Sequence, residues 1–333
     1  MKVKKNMGKY IEKIIGIKEL PVIVLTILII IFLSVTSPVF LSVSNWIAVL
    51  TSLPSTMIAS IFMTILLIAG CIDLSVGSVA AASGAVCGLL LLNGIPIPIC
   101  IISGVLVGIG FGLINGFFST KFGVAPFIVT LGTMMIGRGV VFVLLKGYGI
   151  SGFPQTFNNL GQGKLLSLEY PIYLMIIILA ISWFILRYFR FSKSIYYIGD
   201  NPENARLLGI SVNGIRILAF IGSGMMAALS GLVITARFGA ASNQTGLGLE
   251  LQVIVACVIG GTTIYGGEGS LLGTIIGVFF LALLNNAFNL LGVSIYWKDF
   301  CMSLILILAI SINAVGKQFQ LKKFSKVKKS HSV

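Results

Sequence analysis

Ten stretches of about twenty mostly apolar residues follow one another along this chain, each the length that one helical crossing of a bilayer requires. They fall near 21–37, 46–70, 74–92, 95–117, 124–146, 169–187, 214–236, 248–265, 270–291 and 298–316. The pattern predicts an all-α, polytopic membrane protein of about ten transmembrane helices. Composition agrees: 57% of residues are hydrophobic, 10% are charged and the mean hydropathy is +1.07, whereas soluble domains carry about 25% charged residues. Too few polar side chains exist to coat a soluble fold of this size, which excludes an ordinary globular enzyme and a disordered chain. Pro54 interrupts the second stretch, which reads as either a kinked or a broken helix.

Charge sets the orientation. With the N-terminus in the cytoplasm and alternating crossings, eighteen of the 23 Lys and Arg fall on the cytoplasmic side, among them Lys2 to Lys18, Lys121, Arg187 to Arg216 and Lys317 to Lys329. That is a strong positive-inside bias, and both termini are expected in the cytoplasm. The net charge of +14 therefore reports membrane orientation rather than a nucleic-acid partner. Residues 1–20 read as a basic interfacial helix, with Met7, Tyr10, Ile11, Ile14 and Ile15 opposite Lys9 and Lys13. Residues 21–316 form the permeation domain and 317–333 a basic tail. No small-x-small site ends the first apolar run, so a cleaved signal peptide is not expected.

Several chemistries lack their residues. The only histidine, His331, lies in the charged tail, and the five cysteines (Cys71, Cys87, Cys100, Cys257, Cys301) have no CxxC spacing and read as small buried hydrophobes. No catalytic triad, metal site or bound cofactor is expected. Asp73, Glu250 and Glu268 all fall at span ends, so no titratable acid is expected at membrane depth, which disfavours a proton-coupled carrier. Gly161-Gln162-Gly163-Lys164-Leu165 lacks the spacing and the hydroxyl of a phosphate loop.

Glycine stripes mark close helix packing. Gly104, Gly108, Gly112 and Gly116 recur every four residues in the fourth stretch, and Gly269, Gly273 and Gly277 do so in the ninth. Each stripe runs into asparagine, Asn115 in one and Asn285 with Asn286 in the other. The correspondence suggests an inverted repeat of spans 2–5 and 7–10. The three asparagines either hydrogen-bond a polar substrate or bridge helices, and the bridge is the simpler reading. Arg138, inside the fifth stretch, either snorkels outward or finds a protein partner. Asp73 reads as the N-cap of the third helix, in a turn that includes Ser75 and Gly77.

The loop 188–213 is the longest on the cytoplasmic side. Gly199-Asp200-Asn201 reads as a turn with Asn201 as N-cap, Pro202 at the first helical position, Glu203 near the positive end and Gly209 as terminator. The short helix 202–208, with Ala205, Leu207 and Leu208 on an apolar face, cannot stand alone in water. It must pack on this protein or on a partner. The outer loop 147–168 shows no helical pattern.

Taken in order, Ile72–Ser78 (IDLSVGS), Pro126–Gly132 (PFIVTLG), Gly199–Ile210 (GDNPENARLLGI), Val258–Ser270 (VIGGTTIYGGEGS) and Leu283–Tyr296 (LLNNAFNLLGVSIY) resemble the permease subunits of bacterial ABC monosaccharide importers, the ribose/xylose/arabinose/galactoside group. Cys71 departs from that pattern, where glycine is usual. The resemblance implies an inner-membrane transport subunit with no ATPase site of its own. It further implies a second permease copy, two cytoplasmic ATP-binding subunits that hold the ATP and magnesium, and an extracytoplasmic sugar-binding protein. It also places the ATPase-coupling element on Asn201, Pro202, Glu203, Ala205, Arg206, Leu207 and Gly209. An ion-coupled carrier acting alone is the alternative.

Overall fold

A computed structural model describes residues 19–294, 296–298, 300–305, 307, 308 and 311. Residues 1–18 of the expected interfacial helix, and the basic tail 317–333, lie outside the described residues. Among the described residues the fold is helical, with two short β pairs. In chain order the helices are α1 (Leu20–Thr36), α2 (Val43–Ile68), α3 (Val76–Leu92), α4 (Ile97–Lys121), α5 (Pro126–Leu144), α6 (Gln155–Gln162), α7 (Tyr170–Tyr188), α8 (Arg190–Asp200), α9 (Pro202–Leu207), α10 (Val212–Phe238), α11 (Leu249–Ile259) and α12 (Leu271–Leu290). Residues 296–298 and 300–305 are helical as well, inside the tenth expected span.

Local chemistry explains the boundaries. Ser42 caps α2 by accepting from the Asn45 amide at 3.3 Å, and Ser270 caps α12 by accepting from the Gly273 amide at 2.9 Å. Proline opens α1, α4, α5 and α7 in the first turn, where its missing N–H costs nothing. Pro54 does not break α2, which runs as one helix from Val43 to Ile68.

Six helices, α2, α4, α5, α7, α10 and α12, are long and apolar enough to cross a bilayer. The first and third expected spans, 21–37 and 74–92, are helical as α1 and α3, each of 17 residues, whereas the eighth is not helical throughout. The eighth is helical only over the 11 residues of α11. At about 1.5 Å per residue it cannot cross a core of about 30 Å. The 17-residue α3 is also short. Each is preceded by a link, 69–75 and 239–248, the first largely buried and the second carrying a short paired strand and an exposed Leu247.

α2 and α10 form the enclosed centre, and they pack against each other. α10 also lies along α3 and α4, while α2 lies along α11 and α12. The outer faces of α4, α5 and α7 expose Ile102, Leu106, Phe127, Met135, Ile177 and Ile181, side chains suited to lipid.

Two loops carry more structure than expected. The outer segment contains α6, whose Phe157 is buried with Phe153 against α10. Strand Ile150–Ser151 pairs antiparallel with Ala240–Ala241. The cytoplasmic segment holds two helices, not one. Gly199 and Asp200 end α8 instead of forming a turn.

Candidate functional site

Polar groups gather at three levels. On the side expected to face outward, two cavities of about 500 and 240 Å³ share Ser52, Ser55 and Thr56 of α2 and Gln252 of α11. The larger is closed by the link 239–248 and the outer end of α10, the smaller by Asn285 and Asn289 of α12 with Lys298. The adjacent asparagines of α12 have different jobs. Asn286 and Asn45 exchange side-chain hydrogen bonds, Asn286 Nδ2 to Asn45 Oδ1 at 2.7 Å and Asn45 Nδ2 to Asn286 Oδ1 at 3.3 Å, joining α12 to α2. Asn285 turns about 100° away along the helix and lines the smaller cavity, its Oδ1 buried and without a hydrogen-bond partner.

Arg138 braces the wall of the larger cavity. Its Nη1 donates to the carbonyls of Asn243 at 3.1 Å and Thr245 at 2.8 Å, and its Nη2 to that of Gly246 at 2.9 Å. The planar guanidinium thus satisfies three carbonyls of an irregular link that no regular structure could serve. Gly77, in the first turn of α3, permits this approach: a Cβ there would collide with Glu250 Oε2 and Gly246 O. Gly77 is therefore a packing residue between the starts of α3 and α11.

Deeper, a hydrogen-bond chain joins four elements. Thr133 Oγ1 on α5 donates to Asn115 Oδ1 on α4 at 2.7 Å, and Asn115 Nδ2 donates to Ser75 Oγ at 2.9 Å. Ser75 Oγ donates to Asp73 Oδ1 at 2.6 Å, and Ser223 Oγ on α10 donates to Asp73 Oδ2 at 2.7 Å. All five residues are buried. Ser75, not Asp73, occupies the N-cap position of α3. Ser223 stands about 16 Å from the Val212 end of α10 at ~1.5 Å per residue, so Asp73 lies well inside the helix bundle. Asp73 precedes the third span as expected, but the link 69–75 folds it inward before α3 begins.

The glycine stripes also separate. Gly108, Gly112 and Gly116 abut Gly224, Phe220 and Ile217 of α10, and Gly104 abuts Ser83 and Leu232. Gly273 and Gly277 instead abut Gly260 and Ala256, at and beyond the end of α11. Gly269 precedes α12 and sits in a turn with φ +157°, so it does not belong to the second stripe.

At the cytoplasmic end, Asn201 Oδ1 accepts from the amides of Glu203 at 2.9 Å and Asn204 at 3.1 Å. Pro202 opens α9, Glu203 pairs with Arg206 at 2.6 Å, and Gly209 turns the chain at φ +76°. The expected single apolar face divides. Ala205 is buried with Ile195, Ile198 and Phe220, whereas Leu207 and Leu208 are 86% and 68% exposed. α8 carries α9 and was not apparent in the sequence, although its buried Ile195 and Ile198 stand at helical spacing. Gly199 of α8 lies directly on Ile68 O of α2 and Gly267 N, and Gly267 N donates to Ile68 O at 2.8 Å. Tyr196 Oη donates to Gly269 O at 2.9 Å. Burial pushes the Tyr196 phenol above its ordinary value, which keeps it a donor. Segment 188–213 is thus fastened to the C-terminal end of α2 and to the turn before α12.

Residues 45–310 match the family described as branched-chain amino acid transport system / permease component. The chain is 37% identical over 270 residues to a ribose import permease protein of Haemophilus influenzae, covering 80% of this chain and 84% of that one. It is 36% identical over 261 residues to an autoinducer 2 import system permease protein of Photorhabdus luminescens, covering 78% of each. It is 37% identical over 249 residues to a D-allose transport system permease protein of Escherichia coli, covering 74% and 76%. No solved structure matches the chain.

Proposed function

The chain belongs to this family of transport-system permease components, and on that premise we propose that it is the membrane-spanning subunit of an ABC importer for a neutral monosaccharide or a similar small sugar. In this reading two permease copies form the passage. Two cytoplasmic ATP-binding subunits hold the nucleotide and its magnesium, and an external binding protein delivers the sugar. The chain itself performs no covalent chemistry. It crosses the membrane ten times, two of the crossings built from a short helix plus the link before it, with both termini inside. The reciprocal neighbours of α2 and α10 support an inverted repeat of spans 2–5 and 7–10. The names of the relatives, ribose, allose and autoinducer 2, support this substrate class.

One observation carries the coupling role. A capped two-turn helix presents Leu207 and Leu208 to the cytoplasm while its base is stitched to α2 and α12. An isolated helix of this length is unstable in water, and two exposed leucines at its tip fit an apolar recess in a partner. Movement of α9 with an ATPase subunit would pass through α8 and Gly199 to the two helices that line the outer cavities. The Leu207→Asp/Leu208→Asp double variant should reach the membrane at normal levels, lose co-purification of the ATPase subunit and take up no sugar. Normal uptake by that variant would overturn the docking role.

A further inference from the structure

The two outer cavities have a chemistry that selects among the solutes a family of this breadth could carry, and the argument rests on the permease reading above. Their common wall presents the hydroxyls of Ser52, Ser55 and Thr56 and the amide of Gln252, and the smaller cavity adds the amides of Asn285 and Asn289. Hydroxyls and amides both donate and accept, as every hydroxyl of a sugar does. Among the described residues, no carboxylate lines either cavity. An amino acid would bring an ammonium group into this space with no anion to meet it, at a desolvation cost that a neutral polyol avoids. Of the two lining cations, Arg237 already faces Glu169 at 3.6 Å. The larger cavity, about 500 Å³, falls within the range of about 300–1,000 Å³ usual for small-molecule sites.

Asn285 marks the point of contact. Its neighbour Asn286 is fully engaged with Asn45, yet Asn285 Oδ1 is buried and unpaired. Buried amide oxygens are rarely left so without a missing partner. We propose that Asn285 and Gln252, with the serine and threonine hydroxyls of α2, form a transit site for an uncharged polyhydroxyl solute, and that Asn285 accepts a hydrogen bond from a sugar hydroxyl there. The site discriminates against amino acids by lacking an acid.

The test uses cells expressing the complete importer and radiolabelled D-ribose, D-allose and L-leucine. Wild type should accumulate at least one sugar and no leucine. Asn285→Leu and Gln252→Leu should each lower maximal sugar uptake about tenfold, the effect of one unmet hydrogen bond. ATP hydrolysis stimulated by the sugar-loaded binding protein should stay near the wild-type rate, a split that a merely structural role would not produce. Asn285→Ser, which keeps a hydroxyl, should retain more uptake than Asn285→Leu and covers the case in which leucine impairs insertion. Sugar uptake unchanged in the leucine variants, or lost in step with hydrolysis, overturns the transit site and leaves the importer reading intact. Leucine uptake by wild type in place of either sugar overturns both.

Discussion

Three asparagines look alike in the sequence, and the structure gives them three neighbourhoods. Asn115 sits between Thr133 and Ser75, Asn286 faces Asn45, and Asn285 faces a cavity. Residue type was legible; the direction of each side chain was not, because a shift of one position turns a helical residue by about 100°. Asn115→Leu should leave the Thr133 hydroxyl only the Thr130 carbonyl at 3.2 Å and remove a donor to Ser75, costing about 1–3 kcal/mol. A lowered melting temperature of the purified protein in detergent would register that loss, and an unchanged one would show the chain to be dispensable. Arg138 was visible as an oddity, but its partners are carbonyls, which carry no signature in the sequence. Arg138→Gln should free the link 239–248, so that protease added from outside cuts there faster while expression is retained. Equal cleavage rates would show that Arg138 does not brace the link.

At the scale of elements, apolar length alone located every long helix, since bilayer thickness imposes it. It ran the eighth span on to residue 265, because Gly260 to Tyr265 carry no charge and continue the apolar stretch, whereas α11 ends at Ile259. α8 was hidden for a different reason: it is amphipathic and lies among charged residues, so a search for apolar runs passes over it. Glycine spacing marked a contact face on α4 without naming the partner. The prediction that follows has an internal control. A side chain at Gly108 would collide with Gly224 O, whereas at Gly110 it would meet nothing within 4 Å. Gly108→Val should abolish assembly or sharply lower thermal stability, and Gly110→Val should behave as wild type in the same melt. Similar behaviour of the two would remove the α4–α10 seam as a determinant of folding.

For the whole molecule, the charge distribution supports one orientation. Cysteine placed at Leu207 should react with a membrane-impermeant maleimide only in inside-out vesicles, and cysteine placed at Tyr148, 78% exposed, only in right-side-out ones. The opposite pattern would invert the topology and with it the side to which the two cavities are assigned. The junction of Gly199 with Ile68 and the Gly266–Gly269 turn also bears on engineering. A chimera that grafts only the α9 peptide from another importer would recognise a foreign motor yet inherit mismatched gearing. Exchange should succeed when α8, α9 and the glycine turn before α12 travel together, as one interchangeable clutch.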